Sequence, residues 1–184
     1  DARLTSAPFP AEPVPRNIEI KARIGSVDAL AGALAEFADD GPMAIAQDDT
    51  FFRCENGRLK LRSFDAARGE LIFYQRADSL GPKESNYTIA STGAPDAMRE
   101  ALTRALGATG RVRKARILFL VGRTRVHLDR VEGLGEFLEL EVVLRDGEAM
   151  PSGIHEAHAL MARLGVQQSQ LIGAAYVDLL NSRR

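Results

Sequence analysis

Apolar and polar residues alternate with a period of two along eight stretches of this chain, which predicts strands at 17–24, 44–53, 58–63, 70–78, 84–91, 111–120, 122–131 and 136–145. Successive side chains of a strand point to opposite faces, so residues i and i+2 share one. In the first strand Asn17, Glu19, Lys21 and Arg23 fall together, opposite Ile18, Ile20, Ala22 and Ile24. In the last, Glu139 and Glu141 lie opposite Leu138, Leu140 and Val142. The strands between them repeat the pattern with mostly basic polar faces: Arg58, Lys60 and Arg62; Tyr74 with Arg76; Lys114 with Arg116; and Arg123, Arg125, His127 and Asp129. The stretch 47–53 is a less regular member. One such strand is equally well a sheet edge with its charges in water. Their recurrence predicts that the charged faces converge on one cavity if the strands pair into a curved or closed sheet.

Helical spacing interrupts the strands three times. Ser26 suits an N-cap, and Leu30, Leu34 and Phe37 follow at helical intervals up to Gly41-Pro42. A helix over 95–106 opens on Pro95 and stops at Gly107, with Met98, Leu102 and Leu106 on its core face. Two terminal helices are predicted at 152–164 and 167–181, joined at Gly165; the second carries Leu171, Ala175, Tyr176, Leu179 and Leu180. Asn56-Gly57 signals a hairpin turn, and Gly81-Pro82 separates a later strand pair. Connections of hairpin length favour antiparallel pairing, so the predicted class is α+β in a single domain.

With 184 residues the chain is long enough to bury a substantial core. Its net charge of -1 provides no global basic field, so nucleic acid is not an expected partner. A small anion held in a local cationic cluster is compatible with that balance. Cys54 is the only cysteine, which excludes an internal disulfide and a Cys-rich zinc site and suits a reducing, cytoplasmic location. No apolar run approaches the roughly 20 residues of a membrane-spanning helix, so no membrane partner is expected. Residues 1–16 hold Pro8, Pro10, Pro13 and Pro15 without periodicity or the apolar core of a signal peptide. They are expected to form a disordered tail, leaving 17–181 as the domain. Nothing in the pattern indicates an oligomeric state.

Several of these segments, taken in order, resemble the CYTH family of triphosphate tunnel metalloenzymes. They are Asn17-Ile18-Glu19-Ile20-Lys21, Gly57-Arg58-Leu59-Lys60-Leu61-Arg62, Val112-Arg113-Lys114-Ala115-Arg116, Arg125-Val126-His127-Leu128-Asp129 and Leu134-Gly135-Glu136-Phe137-Leu138-Glu139-Leu140-Glu141. The family's first-strand signature is E-x-E-x-K; Glu19 and Lys21 match it, and Asn17 stands where the first Glu is expected. The resemblance extends from Arg16 to Leu180. It implies an eight-stranded antiparallel barrel with flanking helices, open at both ends, with a triphosphate inside the tunnel.

The resemblance also implies roles. Tunnel carboxylates hold Mg²⁺ or Mn²⁺, which assigns Glu19, Glu139 and Glu141 as ligands, with Asp129 binding directly or through water. Oxygen donors of this kind suit Mg²⁺ or Mn²⁺ better than zinc. The phosphates would be held by Lys21, Arg23, Arg58, Lys60, Arg62, Arg76, Lys114, Arg116 and Arg125. Glu19, Lys21, Lys114 and Arg116 are the expected catalytic residues. The implied activity is metal-dependent cleavage of a phosphoanhydride in a small-molecule triphosphate or nucleotide, with water as nucleophile.

Two alternatives stand beside it. One is a class IV adenylyl cyclase, in which the 3′-hydroxyl of ATP attacks the α-phosphorus; no sequence feature defines an adenine pocket. The other is a non-catalytic module that holds a polyphosphate, supported by the charge lost at Asn17. His127 is expected to satisfy a polar neighbour, and Tyr74 to pack.

Overall fold

The structure is a computed structural model that describes residues 15–183. The expected tail falls mostly on residues 1–14, outside the described residues, and Arg16 opens the first strand. Eight strands form a closed antiparallel barrel: β1 (Arg16–Arg23), β2 (Asp40–Phe52), β3 (Arg58–Ser63), β4 (Gly69–Arg76), β5 (Lys83–Thr92), β6 (Ala108–Val121), β7 (Thr124–Val131) and β8 (Gly135–Val143). Their order around the ring is β1-β5-β4-β3-β2-β6-β7-β8, and β8 returns to β1. Helices α1 (Val27–Ala35), α2 (Pro95–Leu106), α3 (Met150–Arg163) and α4 (Tyr176–Asn181) pack outside the strands. None of the described helices is long and apolar enough to cross a membrane.

The barrel inverts the usual placement of a core. Ile18, Ile20 and Ala22 of β1, Val126 and Leu128 of β7, and Leu138, Leu140 and Val142 of β8 point outward. There they are sealed under Val27 and Leu34 of α1 and Ala157, Leu160 and Met161 of α3. Asn17, Glu19 and Lys21 point inward, yet they too are buried, so β1 is enclosed on both faces. Period-two alternation here separates an apolar outer layer from a polar interior, instead of core from solvent.

Local chemistry sets the helix ends. The Ser26 hydroxyl accepts a hydrogen bond from the Ala29 amide at 3.1 Å and caps α1. Pro95 opens α2, and Gly107, at φ 79°, takes the left-handed turn that ends it.

Two expectations are corrected. Gly41-Pro42 does not separate α1 from a later strand; it lies inside β2, at a register shift against β6 between Asp40 and Met43. Proline has no amide to donate, and a bulge is where a sheet tolerates that loss. The helix expected over 167–181 is likewise broken. A 3₁₀ turn at Gln168–Gln170 is followed by an extended piece in which Leu171 bridges to Ala22 and the Ile172 amide donates to the Lys21 carbonyl at 2.9 Å. Helix resumes only at Tyr176. The reason is an open sheet edge: β1 pairs with β5 only from Arg16 to Glu19, while its partner β8 runs on to Arg23. The extended segment supplies the backbone partners that β5 does not, and that demand outranks the helical periodicity of the side chains.

The inter-layer packing is tight where α3 crosses β1. A Cβ on Gly153 would lie 2.7 Å from both Ile18 Cγ1 and Leu144 Cδ2. Gly153→Val is therefore expected to destabilise the protein by about 1–3 kcal/mol through overpacking, measured as a lower denaturation midpoint at unchanged slope.

Candidate active site

The inward faces enclose a cavity of about 250 Å³, a volume for a small ligand. Seven cations line it: Lys21 from β1, Lys60 and Arg62 from β3, Arg76 from β4, Lys114 and Arg116 from β6, and Arg125 from β7. Glu19, Asp49, Glu139 and Glu141 line it as well. Each strand contributes through the same parity rule, since neighbouring strands are in register: Lys21 opposite Glu139, Glu139 opposite His127, and Glu141 opposite Arg125.

The charges are paired. Asp129 is fully buried behind the cavity wall and accepts hydrogen bonds from Arg116 Nε at 2.6 Å, Arg116 Nη2 at 2.7 Å and the Tyr176 hydroxyl at 3.1 Å, with Lys114 Nζ at 3.3 Å. Arg116 Nη2 also reaches Glu139 at 2.5 Å, whose other oxygen is 2.9 Å from Lys21 Nζ. Asp49 accepts from Lys60 at 2.8 Å and from Arg62 at 2.9 and 3.1 Å. Glu19 is ion-paired with Arg76, and Glu141 with Arg125 at 2.9 Å.

These pairs decide the protonation states. Burial pushes the carboxyl pKa of Asp49 upward, but Arg62 and Lys60 outweigh it and hold the group far below the ordinary range. Burial is likewise overcome at Asp129 by Arg116 and Lys114, leaving its pKa at about 2. Glu139 is held low against burial by Lys21, Lys114 and Arg116, and Glu141 by His127 and Arg125. Lys60 is lowered to about 8 by burial and by Arg62, against the pull of Asp49. Burial and Arg116 lower the pKa of His127, against the pull of Glu141 and Glu139.

Among the residues singled out from the sequence, Arg23 and Arg58 do not line the cavity. Arg23 ends β1 and donates to the Leu134 carbonyl at 2.9 Å. Arg58 opens β3 and ties α4 down, with Asp178 2.7 Å and Asp78 2.6 Å from Nη2. Of the four expected metal ligands, Glu139 and Glu141 lie together, Glu19 is engaged by Arg76, and Asp129 is enclosed by Arg116, Lys114 and Tyr176. The third member of the cluster with Glu139 and Glu141 is His127; one donor atom from each of the three falls within 4.8 Å of the others. His127 does face polar neighbours: its buried Nδ1 lies 3.9 Å from Glu139 and 3.7 Å from Glu141, beyond hydrogen-bond distance of both.

Sequence reasoning passed over Asp49, Gln47, Tyr87 and Tyr176, all of which line the cavity, and took Tyr74 for packing. Asp49 had a signal, the parity it shares with Gln47 on β2. Tyr176 had none, because only the broken C-terminal helix turns it inward. There its ring packs 4.8 Å from Phe137 and lies 4.0 Å from Lys21 Nζ. A divalent cation suits this donor set: two carboxylates and an unpartnered imidazole nitrogen face one small volume.

Removing one partner of a buried charge cluster strands the others. Asp129→Asn is expected to cost about 3–5 kcal/mol of stability. Tyr176→Phe removes a single hydrogen bond and is expected to cost about 0.5–1.5 kcal/mol. Urea unfolding of both variants checks the contrast; equal losses would mean that Asp129 is not the centre of the cluster.

Comparisons with known proteins agree with this architecture. The family model described as CYTH domain matches residues 15–176. Adenylate cyclase CyaB of Aeromonas hydrophila is 26% identical over 172 residues, covering 88% of this chain and 87% of that protein. The solved structure of PH1012 protein from Pyrococcus horikoshii OT3 superposes with a TM-score of 0.77 at 19% identity, covering 89% of this chain and 98% of that one. HpAC1 of Hippeastrum, described as having a dominant triphosphatase activity, superposes with a TM-score of 0.61 at 19% identity, covering 91% and 96%. At such identities the structural likeness establishes the fold alone. Together with the matched residues, the closed barrel and its charged interior make this chain a member of the CYTH domain family.

Proposed function

We propose that this protein is a divalent-metal-dependent enzyme that hydrolyses a phosphoanhydride of a triphosphate-bearing small molecule held inside the barrel. The observation that carries this reading is the convergence of seven cations and two neighbouring glutamates in one enclosed cavity. Against seven positive charges stand five carboxylates, counting Asp129 behind the wall, so 7 − 5 leaves an excess of +2. A compact polyanion meets that excess, and a monoanion leaves most of the cations idle. Each cation is already pointed inward by a carboxylate, so the phosphate contacts would form with little further ordering of side chains.

The residues divide the work by place. Lys60, Arg62 and Arg76 line β3 and β4, while Lys21, Lys114, Arg116 and Arg125 line the opposite arc of β1, β6 and β7. In this reading the two arcs grip the phosphate chain from both sides. Glu139 and Glu141, with His127, would hold the cation; Glu19 orients Arg76. A bound divalent cation supplies neutralisation of phosphate charge and acidification of water. Phosphoryl transfer needs positioning and charge neutralisation more than a covalent catalyst, and no nucleophilic serine or cysteine is needed here.

A second reading, cyclisation of ATP, is favoured by the adenylate cyclase name of the Aeromonas relative and by the adenylyl cyclase in the name of HpAC1. The triphosphatase activity in the description of HpAC1 favours hydrolysis. The deciding experiment incubates the protein with tripolyphosphate, thiamine triphosphate and ATP, each with Mg²⁺ and with Mn²⁺, and measures phosphate, pyrophosphate and cyclic AMP separately. Inorganic phosphate is the expected product. Cyclic AMP and pyrophosphate without free phosphate would establish the cyclase instead. Binding without any product would make the protein a non-catalytic holder of polyphosphate, with Asn17 as the residue to revert to Glu.

Affinity should also depend on pH in a stated direction. Lys60 is cationic below its pKa of about 8 and loses its charge above it. Metal-free tripolyphosphate should therefore bind most tightly below about pH 8 and more weakly as pH rises through that value. Lys60→Arg keeps the charge at all accessible pH values and should remove this break. Calorimetric titrations of both proteins from roughly pH 6.5 to 9.5, about 1.5 units either side of the Lys60 value, test it; an unchanged break in the variant would exclude Lys60 from the phosphate site.

A further inference from the structure

His127 projects from β7 into the barrel directly opposite Glu139 of β8, and it is only 5% exposed. Its Nδ1 is 3.9 Å from Glu139 Oε2 and 3.7 Å from Glu141 Oε1. Both separations are too long for a hydrogen bond, and Nδ1 has no other partner. A buried nitrogen left in that state has lost its water without gaining a partner, which is unfavourable. Two carboxylate oxygens facing an imidazole nitrogen at these distances are also arranged as donors to one shared ion. With donor-to-ion bonds of about 2.0–2.2 Å, two ligands of one cation sit roughly 3–4 Å apart. Arg116 and Lys21 hold the two oxygens of Glu139, and Arg125 holds Oε2 of Glu141, so an ion here shares these carboxylates with their cations, while Oε1 of Glu141 faces His127.

We infer that His127 is a nitrogen ligand of the cation site and that the site consequently prefers a first-row transition cation such as Mn²⁺ to Mg²⁺. The inference rests on the proposed metal dependence and extends it to a residue and an ion class. Mg²⁺ demands oxygen donors and sheds its water reluctantly, so an imidazole in the donor set penalises it. Mn²⁺ and its heavier neighbours accept imidazole nitrogen, with affinity rising along the series to copper. The substitution of Asn17 for the expected Glu acts in the same direction, because it removes a negatively charged oxygen donor from β1, whose remaining glutamate is engaged by Arg76.

The test reads the metal directly and needs no turnover. Mn²⁺ is titrated into the purified, substrate-free protein and followed by electron paramagnetic resonance, and pulsed spectra of the bound ion are inspected for nitrogen hyperfine coupling. The expected result is one bound Mn²⁺ with a histidine nitrogen signature, displaced only by a large excess of Mg²⁺. His127→Gln should abolish the nitrogen signal, and His127→Asp should lower the ratio of Mn²⁺ to Mg²⁺ affinity by about tenfold or more. Glu141→Gln should weaken both ions together. Bound Mn²⁺ without nitrogen coupling in the wild-type protein would overturn the inference and leave the metal-dependent reading standing. Absence of any Mn²⁺ or Mg²⁺ binding, with or without tripolyphosphate, would overturn both. Because the wild-type spectrum is itself decisive, a variant that fails to fold does not rescue the proposal.

Discussion

Ionised side chains inside a closed sheet are the constraint on which this structure depends. Moving a charged group out of water costs several kcal/mol even after relaxation, so each buried charge needs a partner with good geometry. The barrel meets this by alternating signs across neighbouring strands: Arg116 of β6 against Asp129 of β7, Lys21 of β1 against Glu139 of β8, and Lys60 and Arg62 of β3 against Asp49 of β2. The carboxylates do more than neutralise. They fix long, flexible cationic side chains in one orientation, which an exposed cluster would leave to rotate freely.

That interior leaves folding stability to the outside of the barrel. The apolar faces of β1, β7 and β8 are covered by α1 and α3, and the fully buried Phe119, Leu128, Leu138 and Leu140 belong to this outer layer. A second apolar cluster, with Phe137, Tyr176 and Val177, gathers where α4 meets the barrel. Separating the two tasks allows the interior to be polar. A ligand site assembled in the main hydrophobic core would compete with it; here the wall between them is a single sheet one residue thick.

The C-terminal segment joins both tasks. Its extended piece completes the hydrogen bonding of β1 where β5 has ended, and Lys83 donates to the Gly173 carbonyl at 3.0 Å beside it. The chain then turns Tyr176 inward to Asp129. A backbone requirement at the sheet edge thereby places a side chain of the cavity. This coupling explains why a residue so far along the chain belongs to the same charge cluster as Arg116.

The alternation of residues by itself determined the eight strands and the parity that puts Glu19, Lys60, Arg116 and Glu141 on inward faces, and the short connections gave the antiparallel class. Strands and parity follow from the two-residue period of a strand, which acts locally and is visible in any window of the chain. Strand ends were less legible: Arg23 and Arg58 obey the parity but sit beyond the cavity, because tilt and register decide how much of each strand faces inside. Tertiary structure alone decided that the polar face is buried instead of solvated, since alternation reads the same in both cases. It also decided the break in the last helix and the orphaned nitrogen of His127. Those depend on which backbone and side-chain groups meet across the ring, and partners more than a hundred residues apart, such as Ala22 and Leu171, leave no trace in local periodicity.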